Sequence, residues 1–378
     1  MYLKTPQNWP VIILIIFCSI IASSDDKIYI GGFLWPSNSQ NLPTGIVTFQ
    51  SGILFPCEKH FQYRSCVFNC KTNILTILNN LSGSGLSLDD LAQDGIVMNL
   101  DDSNYAYYVN LKERVMQKIL LNDVPFIPCS GIWDRTKKRC LMGVYENDDS
   151  VTLHLFDFST TSTTVLAKNI FSFAYIEYDW INDHEIVFLK IAPPRIRGYA
   201  DSVEIMDIQT FKTTTIAKDI NCSNLRLSSD KRYLAYDNIM GDNAVKVLVY
   251  DLNTSRMIFT KVFEGAQYYV SFLWCPDNRH LLVNLVSMKK NKLIVFSVLD
   301  PEDEALTINK YPTYGLAAFL DNQSLYISER FPLKSAKNKN YIYDMKKEKI
   351  VDRPISPEVQ YINLRESSPI NFEYKEQQ

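Results

Sequence analysis

Only four histidines occur in these 378 residues, and none stands in a His-Glu-x-x-His pair. That removes the helix-borne zinc site of the metalloproteases. There is no Gly-x-Ser-x-Gly elbow; Gly83-Ser84-Gly85 sits in a short Ser/Gly turn without the framing residues. No Gly-rich loop of the phosphate-cradling type is present, and no Cys-x-x-Cys pair. Charge of one sign is lacking as well. The net charge is −3 and there is no long basic run, so composition carries no nucleic-acid footprint. What is abundant is apolar and aromatic: hydrophobic residues make up 46% and charged residues 21%, enough to bury a large core and to exclude a disordered chain.

Long apolar runs are missing except at the start. Lys4 precedes an apolar run over residues 11–21, and Ala22-Ser23-Ser24 supplies small residues before Asp25-Asp26. Length and flanks read as a secretory signal peptide over residues 1–24. A spanning helix needs about 20 apolar residues, and the stretch 9–22 falls short. The alternative is an uncleaved anchor that tethers the chain to a membrane by residues 9–22. Phe17 is too bulky before Cys18 for a lipoprotein site. The expectation is an exported protein: secreted, periplasmic or extracytoplasmic.

Export permits disulfides. Seven cysteines follow the signal segment. Cys129 and Cys140 flank residues 134–138 almost symmetrically, so a hairpin turning there predicts them opposite one another. Cys57, Cys66 and Cys70 can supply a second pair. An odd count leaves at least one thiol over, and the alternative is that several are small buried hydrophobes. Asn80, Asn221, Asn253 and Asn322 each open an Asn-x-Ser/Thr sequon. Asn253 and Asn322 fall on predicted turns, where a glycan has room if the export route glycosylates.

A repeat organises the chain. Trp133, Trp180, Leu227 and Trp274 lie 47 residues apart, and Phe319 follows 45 later. Asp183, Asp230 and Asp277 come three residues after the large apolar residue; near Phe319 the turn is Asp321-Asn322. A strand-like run follows each turn. A second run then ends apolar–aromatic–Asp, at Leu155-Phe156-Asp157, Val249-Tyr250-Asp251 and Ile342-Tyr343-Asp344. A period in the forties means a propeller, a solenoid or an array. Val, Ile, Tyr and Phe fill the repeated runs, which argues for strands. Several runs, such as residues 293–298, are apolar on both faces, as the middle strands of stacked blades are.

The segments LRLSSDKRYLAYDN…KVLVYDLNTSRMI and FLWCPDNRHLLVNLV…LIVFSVLD resemble the repeats of TolB-like propellers. The propeller domains of prolyl oligopeptidase and dipeptidyl peptidase relatives have similar repeats. The resemblance covers roughly residues 130–350. Pro276-Asp277 matches the family turn, and Ser229-Asp230 keeps its Asp. The glycine that follows the Asp in the family is replaced by His184, Lys231 and Asn278. The shared positions are strand and turn positions, so the resemblance implies a fold and carries no functional residue across.

The predicted architecture is therefore all-β: a propeller of about seven four-stranded blades over residues 25–352, with six or eight staying open. Two degenerate repeats precede residue 125, one with the turn Leu91-Ala92-Gln93-Asp94. Residues 353–378 read as a polar tail or a ring-closing strand; residues 27–33 or 361–364 can close the ring. The loops at 192–200 and 331–340 and the acidic run at 300–304 read as solvated. Asp89, Asp90, Asp94, Asp101 and Asp102 lack the spacing of a calcium loop. His184 and His280 hold turn or strand-start positions, which makes them structural. No catalytic residue, cofactor or metal ligand is predicted. The function expected is a non-enzymatic scaffold that holds a protein or peptide on one face or at the channel mouth. The alternative is a hydrolase or lyase acting on a glycan or peptide with channel-mouth carboxylates as acid and base.

Overall fold

The computed structural model describes residues 46–53, 62–69, 74–78, 96–99 and 106–110, and from 113 to 375 all but 127, 137, 148–149, 172–177, 192–198, 242–243, 265–268, 287–290, 301–304, 309–314, 330–338 and 353–357. Outside the described residues lie the signal segment 1–24, residues 27–33, Cys57, Cys70, Asn80, the acidic residues of 89–102 and most of the three loops named above. Among the described residues every regular element is a strand, and no helix is long and apolar enough to cross a membrane.

The strands fall into antiparallel groups in chain order. The first group is β1 (Ile46–Ile53), β2 (Gln62–Asn69) and β3 (Ile74–Leu78); the second is β4 (Ile96–Asn99), β5 (Ala106–Asn110) and β6 (Val115–Leu121), with the short β7 (Val124–Pro125). Next come β8 (Pro128–Trp133), β9 (Arg139–Asn147), β10 (Ser150–Asp157) and β11 (Ser162–Phe171), then β12 (Tyr178–Trp180), β13 (Glu185–Lys190), β14 (Ala200–Asp207) and β15 (Thr213–Cys222). Three separate four-stranded sheets follow: β16 (Leu225–Leu227) to β19 (Arg256–Glu264) through β17 (Tyr233–Ile239) and β18 (Ala244–Asp251); β20 (Tyr269–Trp274), β21 (His280–Val286), β22 (Asn291–Ser297) and β23 (Leu306–Ile308); and β24 (Gly315–Phe319), β25 (Ser324–Glu329), β26 (Lys339–Asp344) and β27 (Lys349–Asp352).

Core clusters lie between successive strand groups. Ile132, Leu141 and Leu153 meet Trp180, Ile186 and Phe188 across one interface. Val187, Leu189 and Val203 meet Leu225, Leu227 and Leu234 across the next. Val247, Val249 and Phe259 meet Phe272, Trp274 and Val283, and Leu282 and Val295 meet Phe319 and Leu325. Ile186 and Val187 show the logic: neighbouring residues of one strand serve opposite interfaces, because side chains alternate across a sheet. That is why these strands read as apolar on both faces.

Gly143 shows how closely two sheets approach. A bulge between Pro128 and Gly131 leaves Gly143 without a partner in β8. The Gly143 N–H donates instead to the Tyr178 hydroxyl at 2.8 Å. A Cβ on residue 143 would lie 2.8 Å from Val151 Cγ2 and 3.2 Å from that hydroxyl, so any larger residue would force Val151 to shift.

Two expectations need correcting. In the β8–β9 ladder Cys140 stands opposite Trp133, while Cys129 lies four residues back beside the bulge. At about 3.3 Å per residue that offset is roughly 13 Å, far beyond the Cα separation of a disulfide, about 4.4–6.8 Å. The hairpin turns where expected, but the two cysteines are not opposite. Cys66 sits in β2, across from Phe49 and Ile77. The second correction is the C-terminus. Residues 365–374 are not a tail: after β28 (Glu358–Ile362), which pairs parallel with β3, they form β29 (Arg365–Tyr374), which pairs parallel with β6 and touches β11 at Ser162 and Thr163. That link, with Ile170 opposite Lys190, joins three groups into one 13-stranded sheet.

Candidate functional site

The first turn of each four-stranded group is the place where the repeat concentrates polar side chains. The large apolar residue before it is buried every time: Trp133 is 5% exposed, Trp180 3%, Leu227 0%, Trp274 7% and Phe319 4%. Two of the tryptophans also reach back to the preceding sheet. Trp180 Nε1 donates to the Ile132 carbonyl at 3.0 Å and Trp274 Nε1 to the Arg226 carbonyl at 3.2 Å. These bonds join the first strands of neighbouring groups, β8 to β12 and β16 to β20.

The turn carboxylates close their own loops. Asp277 Oδ1 accepts from the Arg279 and His280 amides at 2.8 and 3.1 Å. Asp321 Oδ1 accepts from Gln323 and Ser324, both at 2.7 Å. Asp230 Oδ1 accepts from the Arg232 amide and the Ser228 hydroxyl. In the β8–β9 turn the work falls to Asp134, fully buried, which binds Thr136, two amides and the Arg139 guanidinium. In the β12–β13 turn it falls to Asn182, whose Oδ1 accepts from His184 and Glu185. Asp183, expected in that role, is exposed and offers its carbonyl to Arg139 Nη2 at 2.9 Å. Turn length shifts the capping residue by one position, which spacing alone does not reveal.

Adjacent turns are tied to one another. Arg139 bridges to Asp183 and stacks over the Trp180 ring at 5.1 Å. Lys231 Nζ reaches Asp179 Oδ2 at 2.8 Å. Ser229 donates twice to Asn278 Oδ1, and Cys275 Sγ contacts the Asn322 carbonyl at 3.9 Å. The turns form one continuous polar belt from β8 to β25.

Electrostatics follow from these bonds. Burial pushes the Asp277 carboxyl up, but the Arg279 amide, the His280 ring and the His280 amide outweigh it and hold the group below the usual carboxylate range. The Cys275 thiol, fully buried, is pushed up to about 12 by burial. Asp237 has its carboxyl raised by burial against the opposing bonds from Ser223 and Asn224. It is 0% exposed and pins the β15–β16 connection, out of reach of a substrate.

Cys275, Asp277 and His280 bring three different ligand types together on one turn, their atoms all within 4.8 Å of one another. Sequence reading missed this group because its spacing, Cys-x-Asp-x-x-His, follows none of the usual zinc patterns. The signal that could have found it is a comparison of the turns, where Ser228 and Tyr233 stand at the places of Cys275 and His280. Among the sequon residues, Asn253 and Asn322 are exposed on turns. Asn221 is the last residue but one of β15, where its side-chain amide donates to the Ile239 carbonyl at 3.2 Å.

No protein-family model matches the chain, and no curated protein does. Solved structures do. The Dos1 propeller superposes with a TM-score of 0.53 at 8% identity, over 88% of this chain and 89% of that one. Oligogalacturonate lyase from Vibrio parahaemolyticus superposes with a TM-score of 0.51 at 11% identity, over 85% and 92%. The resemblance is to β-propellers. TolB from Acinetobacter baumannii matches with a TM-score of 0.44 at 11% identity, over 83% and 80%. At such identities the likeness concerns the fold alone.

Proposed function

We propose that this chain is an exported β-propeller of seven blades that acts as a non-enzymatic scaffold, holding a protein or peptide partner on one face or at the channel mouth. A count of seven is supported by seven strand groups in succession, three of them joined in the 13-stranded sheet and the first two extended by β28 and β29. The segment 1–24 supports export, with retention at a membrane through residues 9–22 as the alternative to cleavage.

The observation that carries the scaffold reading is the state of the turn acids. A hydrolase or lyase that works with channel-mouth carboxylates as acid and base needs those groups free to exchange protons with substrate. On this belt Asp134, Asp230, Asp277 and Asp321 each spend an oxygen on turn amides or hydroxyls. The lyase named above lends its fold to the comparison and no residue. A rigid belt of linked turns presents many side chains on one surface, which suits partner binding.

The test is a pull-down with the mature chain, residues 25–378, from its native extract, with mass spectrometry of what is retained. One stoichiometric protein is the expected result. A retained glycan without a protein partner overturns the scaffold reading in favour of channel chemistry.

A further inference from the structure

We propose that the β20–β21 turn binds a borderline-soft divalent cation, zinc above all, through the Cys275 thiolate, the Asp277 carboxylate and the His280 imidazole. Three ligand atoms of three kinds lie within 4.8 Å of one another. Tetrahedral zinc spaces sulfur, nitrogen and oxygen ligands by about 3.3–3.8 Å, as its bond lengths require, so the cluster closes onto a cation with side-chain adjustments alone. A sulfur–nitrogen–oxygen set suits zinc better than the hard cations magnesium and calcium.

The preceding turn explains why the three converge. Ser228 and Cys275 occupy the same place: the Ser228 amide donates to the Tyr233 carbonyl and the Cys275 amide to the His280 carbonyl, both at 2.8 Å. Lys231 closes back on Ser228 and Asn278 on Cys275, both at 2.9 Å. In the first turn the Ser228 hydroxyl knits the loop, donating to Asp230 Oδ1 at 2.5 Å and accepting from the Tyr233 amide at 2.9 Å. In the second turn a thiol and an imidazole replace the hydroxyl and the phenol. The thiol is free, and its contacts, 3.9 and 4.0 Å to the carbonyl and side-chain oxygens of Asn322, are long. Asp277 Oδ1 is taken by two amides, which leaves Oδ2, and that atom meets His280 Nδ1 at 2.6 Å.

Charge and access agree. One thiolate and one carboxylate balance a divalent cation, with the imidazole neutral; the thiol proton leaves to solvent as the cation binds. The sulfur side is buried, while the His280 side chain is 41% exposed, so the cation has a way in.

The experiment is a titration of the reduced full chain with Co²⁺, reading the near-ultraviolet thiolate-to-cobalt band and displacement by Zn²⁺. Expected is one saturating equivalent with that band, a higher Tm with Zn²⁺, and at least tenfold weaker binding in His280→Gln. Cys275→Ser restores the residue type of the preceding turn and is expected to keep the far-ultraviolet circular dichroism while losing the band. A band that persists in Cys275→Ser, arising from other cysteines, overturns the proposal, as does the absence of saturable binding. Neither result depends on whether a protein partner is captured.

Discussion

Trp274 does two things at once. Its rings fill the interface between two sheets, and its indole nitrogen anchors the carbonyl of Arg226 on β16 of the preceding sheet. Trp274→Ala is expected to cost about 3–5 kcal/mol in denaturant unfolding. Trp274→Phe keeps most of the packing and loses the bond, for about 1–3 kcal/mol from the stranded buried carbonyl. A near-neutral Trp274→Ala would mean that the 47-residue repeat has been phased wrongly. Legibility at this scale was mixed. The buried positions stood out because large apolar residues are rare before polar turns. The capping residue did not, since Asn182 and Asp183 are both plausible turn acceptors by type and only the backbone path chooses. Lys231 and Asn278, at φ 61° and 57°, hold the left-handed conformation for which the related repeats use glycine.

One further connection recurs between the third and fourth strands of four groups and again between β5 and β6. Asp157, Asp207, Asp251 and Asp344 each accept from an amide two or three residues on. Asn110 does the same for Glu113. Four residues after each of these five, the chain turns left-handed, at Arg114, Thr161, Phe211, Ser255 and Glu348. The apolar–aromatic–Asp ending revealed three of these turns. Met206 concealed the fourth, because it packs in the core as an aromatic would without matching the pattern. These bonds hold the carboxyls below their ordinary value of 3.8: the Arg232 guanidinium does so for Asp251, the Thr210 amide for Asp207 and the Lys347 ammonium for Asp344, while for Asp157 burial is outweighed by Ser159 and Thr160. With folded values below 3.8 the unfolded chain binds more protons in acid, so the stabilisation is complete above that pH and is lost as pH falls through the folded values. Urea midpoints measured from neutral to acid pH are expected to drop below about 4. Asp251→Asn is expected to lower the neutral midpoint and to flatten that acid limb; an unchanged limb would remove Asp251 from the account.

At the scale of the whole molecule, strands from residues 358–374 hold groups made far earlier in the chain. β29 carries mostly exposed residues, which is why it read as a tail; one side chain, Phe372, is fully buried. Its ring sits edge-on to Phe156 and Phe158, with centroids 4.9 and 4.8 Å away. Parallel pairing to β6 uses backbone groups, which leave no mark on composition. Phe372→Ala is expected to cost about 3–5 kcal/mol, as much as a core position in the middle of the repeat. A loss below about 1 kcal/mol in thermal or denaturant unfolding would mean that β29 merely lies on the surface.

β28 and β29 follow every other described strand, yet they complete sheets begun by residues 46–78 and 96–121. A growing polypeptide therefore leaves the edges of β3 and β6 bare until residues 358–374 have been made. Such edges are templates for pairing with other chains, and contacts this distant in sequence form slowly. Half-made copies carry the aggregation hazard, and residues 358–374 remove it.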